Sequence, residues 1–134
     1  MRRMLIAVIA PLLIFMAACS GTTNEEKAAK AAKGYYDLLV EGDVVRFLEN
    51  KAGIDSLSSD YGEQLLVAVR RYQHDVQEKH GGLRQVYISD NPARSDTVHG
   101  QLMVYAFLNL CYTDSTQEEV VVPMVEQGDQ WLMK

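Results

Sequence analysis

Few residues of this chain are of a type that does chemistry: two cysteines, three histidines and seven tyrosines, set among 18 acidic and 13 basic side chains. Cys111 sits between Leu110 and Tyr112 in a strand-like run. A reactive thiol needs an exposed, electropositive setting that keeps it ionised. None is visible around Cys111, and a free cysteine without one behaves as a small hydrophobe. His74, His80 and His99 follow no zinc-ligand spacing. No nucleophile elbow, phosphate-binding loop or dinucleotide fingerprint occurs. The apolar stretch Leu102–Tyr112 holds no carboxylate that a dry pocket could turn into a general base. Catalysis is therefore not expected, and neither is a metal or a cofactor. The remaining candidates are aromatic: Tyr35 and Tyr36, then Tyr105 and Phe107 with Asn109 and Cys111 at alternate positions, and Trp131. Aromatic area mixed with one polar group suits a pocket for a small apolar ligand. The same stripe serves equally as plain core packing.

Cys19 has a different setting. Arg2 and Arg3 precede an apolar run, Leu5–Ala18, broken only by Pro11. The run is short for a membrane span, which takes about 20 apolar residues. A positive start, an apolar middle and a small-residue end read as a secretory signal peptide over residues 1–18. Met16-Ala17-Ala18-Cys19 resembles the lipobox cut by lipoprotein signal peptidase, with Met16 where Leu or Val is usual. That resemblance implies cleavage before Cys19 and a diacylglycerol on its sulfur. Two or three acyl chains hold a protein firmly where one alone is marginal. Residues 19–25 then form a lipidated tether and residues 26–134 one domain. The expected place is the bacterial cell envelope, lipid-anchored, at the outer membrane in preference to the inner. The competing readings are a plain secretory peptide and an uncleaved N-terminal anchor.

The formal net charge is −5, and loss of the signal peptide removes Arg2 and Arg3 but no acid. With no basic stripe to offset that charge, phosphate backbones gain nothing here, and nucleic acid is excluded as an expected partner. With Cys19 acylated, Cys111 has no cysteine left to pair with inside the chain.

These residues must be positioned by helices first and strands afterwards. Thr23 with Glu26 has capping-box spacing. Ala28, Ala29, Ala32, Tyr35, Tyr36 and Leu39 then recur with helical period up to Gly42. Asp43 caps a short second helix with Val44, Phe47 and Leu48 on one face. Ala52–Ser59 reads as a linker. Asp60, with Glu63 three residues on, is the expected cap of a third helix whose face is Tyr61, Leu65, Val69, Tyr72 and Val76. It ends at Gly81-Gly82. Four strands are expected next: Leu83–Ser89, Val98–Tyr112, Glu118–Glu126 and Gln130–Lys134, with Asp90–Asp96 as a loop and Gly128 in a tight hairpin turn. Strands in succession without intervening helices predict an antiparallel sheet. The fold class is α+β: three N-terminal helices packed on a bent four-stranded antiparallel sheet.

Ala31-Ala32-Lys33-Gly34-Tyr35-Tyr36-Asp37-Leu38-Leu39 with Glu41-Gly42-Asp43, Gly81-Gly82-Leu83 ahead of the first strand, and Val122-Pro123-Met124-Val125 before Gly128-Asp129-Gln130-Trp131 carry a family resemblance. Their order resembles small Gram-negative lipoproteins with a lumazine-binding-like domain of unknown function, within the nuclear transport factor 2-like superfamily. That superfamily also holds ketosteroid isomerase and scytalone dehydratase. The resemblance implies helices seated in the concave face of a cystatin-like cone, around an apolar pocket, over most of residues 26–134. The function it points to is a non-catalytic module that binds a small molecule or a protein. The alternative is a small enzyme of the isomerase or dehydratase type.

The long strand has two apolar sides, Met103–Tyr105–Phe107–Asn109–Cys111 and Leu102–Val104–Ala106–Leu108–Leu110–Tyr112. Both are expected to be covered. The Tyr105 side, joined by Tyr35 or Tyr36 and Trp131, is expected to face the helices and any pocket. The side with Val104, Ala106 and Leu108 is expected to meet a second copy of the domain.

Overall fold

The protein is described here by a computed structural model covering residues 22–134. The signal peptide over 1–18, the lipidation site Cys19 and the start of the tether lie outside the described residues.

Helix α1 (Asn24–Val40) starts at the expected box: Thr23 Oγ1 accepts the Glu26 amide and Glu26 Oε1 accepts the Thr23 amide, both at 3.1 Å. The helix thus takes in the last residues assigned to the tether. Its buried residues, Ala28, Ala29, Ala32 and Leu39, are mostly small, which lets its axis lie close to the sheet. Asp43 caps α2 (Val44–Glu49) by accepting the Arg46 amide at 3.2 Å. A 3-10 turn, Ile54–Ser56, lies in the expected linker. Helix α3 (Ser59–His80) starts earlier than expected: Ser58 accepts the Tyr61 amide at 3.2 Å. Asp60 falls inside the first turn, where its charge meets the positive end of the helix dipole.

The sheet has five antiparallel strands: β1 (Leu83–Ile88), β2 (Arg94–Val98), β3 (Gln101–Tyr112), β4 (Gln117–Gln127) and β5 (Gln130–Met133). β1 and β2 divide one edge of β3 between them. β2 pairs with Gln101–Tyr105 and β1 with Leu108–Tyr112. β4 lies on the other edge, and β5 beyond it. The extra strand comes from a turn the sequence reading missed. His99 and Gly100 have φ of 52° and 79°, the two left-handed positions of a tight hairpin. The run expected to start at Val98 is therefore folded back there, and Arg94–Val98 pairs instead of looping out. The free edge of β5 is strapped: the Ala52 amide donates to Met133 O at 2.6 Å and the Met133 amide to Asn50 O at 3.0 Å. An edge covered in this way offers no template for foreign strands.

The two sides of β3 are reversed from expectation. Val104, Ala106, Leu108 and Leu110 are at most 1% exposed and join the core under α1 with Val86, Val122 and Met124. Tyr105, Phe107, Asn109 and Cys111 lie on the outer face. A curled sheet explains the choice. In the middle of β3 the concave side holds aliphatic and alanine side chains against the alanines of α1, while Tyr105 and Phe107 fall on the convex side. Val104, Ala106 and Leu108 are thus covered within the chain and are not available to a second copy.

Candidate functional site

The inner face is not filled to its end. α3 carries the expected apolar stripe, but of its 22 residues only Val76 is buried. Gly81 and Gly82, at φ of 77° and 114°, turn the chain back at once. The Thr113 amide donates to Gly82 O at 2.9 Å and the Asp114 amide to His80 O at 3.0 Å. These bonds pin the last turn of α3 to the β3–β4 hairpin. Tyr61, at the other end, is 47% exposed. The Gln73 side chain also ties α3 to α1, donating to Leu39 O at 2.9 Å, and a hollow of about 290 Å³ lies beneath the middle of the helix. Tyr36 and Leu39 of α1, Phe47 of α2, Ala68, Val69 and Tyr72 of α3, and Leu110 and Val120 of the sheet line it. A second hollow of about 250 Å³ shares Tyr36 and Phe47 and extends to Lys51, Met133 and Lys134. Tyr36 and Phe47 meet edge to face, ring centres 5.3 Å apart.

Polar groups of the β3–β4 hairpin adjoin the first hollow at Tyr72 and Leu110. Tyr112 donates its hydroxyl to Glu118 Oε1 at 2.6 Å. Burial first, then the bond to Glu118, push the Tyr112 phenol far above the ordinary tyrosine range. Burial also raises Tyr72, which lies beside both groups, and Tyr36. All three phenols are therefore neutral, and Tyr112 has its one proton committed. His80 stacks on the Tyr112 ring, centres 4.3 Å apart and planes at 13°, and turns Nδ1 to Asp114 Oδ2 at 2.8 Å. The Thr116 bonds, then His80, hold the Asp114 carboxyl down at about 2.

The residues expected to line a pocket divide. Tyr36 lines both hollows. Tyr35 instead rivets α1 to β5, its hydroxyl donating to Trp131 O. Trp131 is 5% exposed in the core, and its Nε1 has no partner among the described residues. Tyr105 and Phe107 line a shallow outer depression with Arg94, whose guanidinium carbon lies 5.3 Å from the centre of the Phe107 ring. Asn109 faces outward opposite Glu119. Cys111 is on the same outer face, 2% exposed. Those four do not enter the helix–sheet cleft. Phe47, Val69 and Tyr72 stand in their place, with Tyr112 and Glu118 adjoining Tyr72. The i, i+3, i+4 stripe of α3 carried the signal for Val69 and Tyr72, and Phe47 was legible as the apolar face of α2. Nothing in the sequence joined Glu118 to Tyr112.

Among the described residues no three His, Cys, Asp or Glu side chains converge as metal ligands, and no helix is long and apolar enough to cross a membrane.

No protein-family model matches the chain, and no curated protein does. A solved structure is similar: a Campylobacter jejuni protein named as an NTF2-like (nuclear transport factor 2-like) transpeptidase, with a TM-score of 0.58 over 78% of this chain and 94% of that one. The two are 12% identical, so the likeness is one of fold. With three helices seated on the concave side of a curled antiparallel sheet, this chain has the nuclear transport factor 2-like α+β cone fold.

Proposed function

We propose that this chain is a non-catalytic binding module of the bacterial envelope, held to a membrane through lipid on Cys19, whose cone receives a small apolar ligand. The observation that carries the reading is the hollow under α3: it is lined mostly by apolar and aromatic side chains and open on one side, and Val69 and Tyr72 of the α3 stripe face it. A pocket of this kind, mostly apolar with a few polar groups at one end, is the ordinary form of a small-molecule site. The lumazine-binding-like lipoproteins remain the family this reading favours, on the sequence resemblance.

A titration with an environment-sensitive apolar dye tests it. The dye should bind the wild-type domain. Ala68→Trp, which plugs the hollow from the partly exposed face of α3, should weaken binding by at least about tenfold, roughly 1.4 kcal/mol. Tyr105→Ala, on the outer face, should not. Equal binding by the plugged variant would place the dye elsewhere and defeat the reading.

A second reading, an isomerase- or dehydratase-type enzyme, has one observation in its favour. Glu118 is a carboxylate bonded to a tyrosine at the edge of an apolar hollow, a pairing that acid–base chemistry uses. Acyl transfer, the chemistry in the neighbour's name, finds no support in cysteine: Cys111 is on the face away from the hollow. Pairing with a second copy also stays a proposal. Its surface is now the outer face, where Val121 is 51% and Tyr87 47% exposed beside half-buried Tyr105 and Phe107. Sedimentation of the 22–134 domain, with and without Val121→Glu, decides it.

A further inference from the structure

Three aromatic rings reach the same hollow from three different helices: Tyr36 from α1, Phe47 from α2 and Tyr72 from α3. The edge-to-face setting of Tyr36 and Phe47, with planes at 89°, gives the hollow aromatic surface in two orientations. Ring faces carry partial negative charge and attract cations, most strongly where water is excluded. All the phenols that could have ionised are held neutral by burial, so the rings keep that character.

The lining itself holds no charged side chain, and the carboxylate that adjoins it, Glu118, is negative and lies beside Leu110 and Tyr72. Glu118 lies two residues before Val120 on the inner face of β4, across from Leu110. It accepts the Tyr112 hydroxyl through Oε1. Among the described residues no lysine, arginine or histidine forms an ion pair with it. His80, stacked on Tyr112, turns Nδ1 to Asp114 instead. The lysines of the neighbourhood, Lys51 and Lys134, line the second hollow, with the Tyr36–Phe47 pair common to both. An anionic head would meet the Glu118 carboxylate with no donor to spare at Tyr112. A neutral hydroxyl head could donate a hydrogen bond to the carboxylate but would gain nothing from its charge. A cation would gain from the carboxylate and from the ring faces together.

We propose that the hollow selects an amphiphilic cation: an apolar body bearing an ammonium or quaternary ammonium group, with the apolar part under α3 and the charge at the Glu118 end. This rests on the cleft reading above and adds the ligand's charge to it. Carboxylate and rings come from β4 and from all three helices, so the selectivity belongs to the assembled cone and to no single element.

Calorimetric titration of the domain with three probes of one tail length tests this: octyltrimethylammonium, 1-octanol and octanoate, each below its micelle-forming concentration. The expected order is cation, then alcohol, then anion, with the cation at least about tenfold tighter than the alcohol. Glu118 is exposed, so Glu118→Gln should fold, its midpoint of thermal unfolding serving as the check. It should collapse the preference for the cation over the alcohol. Tyr72→Leu, which keeps the apolar wall and removes a ring, should lower the same ratio. Equal affinity for cation and alcohol in the wild type overturns the proposal and leaves the cleft reading standing. A preference that survives Glu118→Gln intact overturns it as well. Binding of none of the three overturns both.

Discussion

Trp131 offers a test of the core that separates size from polarity. It lies on the inner face of β5, opposite Glu126, and is 5% exposed. The β5 backbone around it is strapped on both sides, by Asn50–Ala52 and by β4. The surroundings therefore collapse little when the ring is removed, and Trp131→Ala should cost about 3–5 kcal/mol, as truncations of large buried aromatics do. Trp131→Phe is a different perturbation. It leaves a smaller cavity, a cost on the order of 1 kcal/mol. It also removes Nε1–H, which has no partner among the described residues and whose burial without one costs about 1–3 kcal/mol. The two effects oppose each other, so Trp131→Phe should stay within about 1 kcal/mol of the wild type. Urea unfolding of the 22–134 domain, followed by far-ultraviolet circular dichroism, measures both variants without relying on the tryptophan signal. A Trp131→Phe loss as large as that of Trp131→Ala would show that the indole N–H is satisfied and the reasoning wrong.

Leu108→Ala should cost about 2–5 kcal/mol because Leu108 is fully buried under the helices, whereas Val121→Ala on the outer face should stay within about 0.5 kcal/mol; comparable losses would mean that the outer face is covered too. Asp114 is held at about 2 against an ordinary 3.8. A lowered folded-state pKa stabilises above the unfolded value, so its contribution should be complete above about pH 4 and lost as pH falls toward 2. A carboxyl titration by NMR checks the value, and Asp114→Asn should flatten that limb of the stability curve. Cys19→Ser should leave the chain without acyl mass by mass spectrometry, whereas a native mature form starting at another residue would defeat the anchoring proposal.

The helices were legible because their signals are local: the Thr23–Glu26 box, the Asp43 cap, and apolar spacing that continues through Val76 to the Gly81 stop. The pairing of Trp131 with Glu126 and of Met133 with Met124 was also readable, since the two-residue turn at Gly128 fixes the register. The face of β3 was not. Both of its sides are apolar, and which side is concave depends on the curl of the whole sheet. Small residues at Val104 and Ala106, opposite the alanines of α1, were the usable clue, and aromatic content pointed the other way. The turn at His99-Gly100 was hidden by histidine in a position where asparagine is the stronger signal. The Tyr112–Glu118 contact spans the β3–β4 hairpin diagonally, and its place beside a hollow depends on how α3 is seated.

Chemical-shift mapping tests directly whether the cone's hollow is a ligand site. The isotope-labelled 22–134 domain would be titrated with 1-octanol and with octyltrimethylammonium. The largest shifts are expected on Tyr36, Leu39, Val69, Tyr72, Leu110 and Val120, with Tyr105, Phe107 and Val121 unmoved. Shifts confined to the outer face, or none at saturation of solubility, would contradict a ligand site in the hollow.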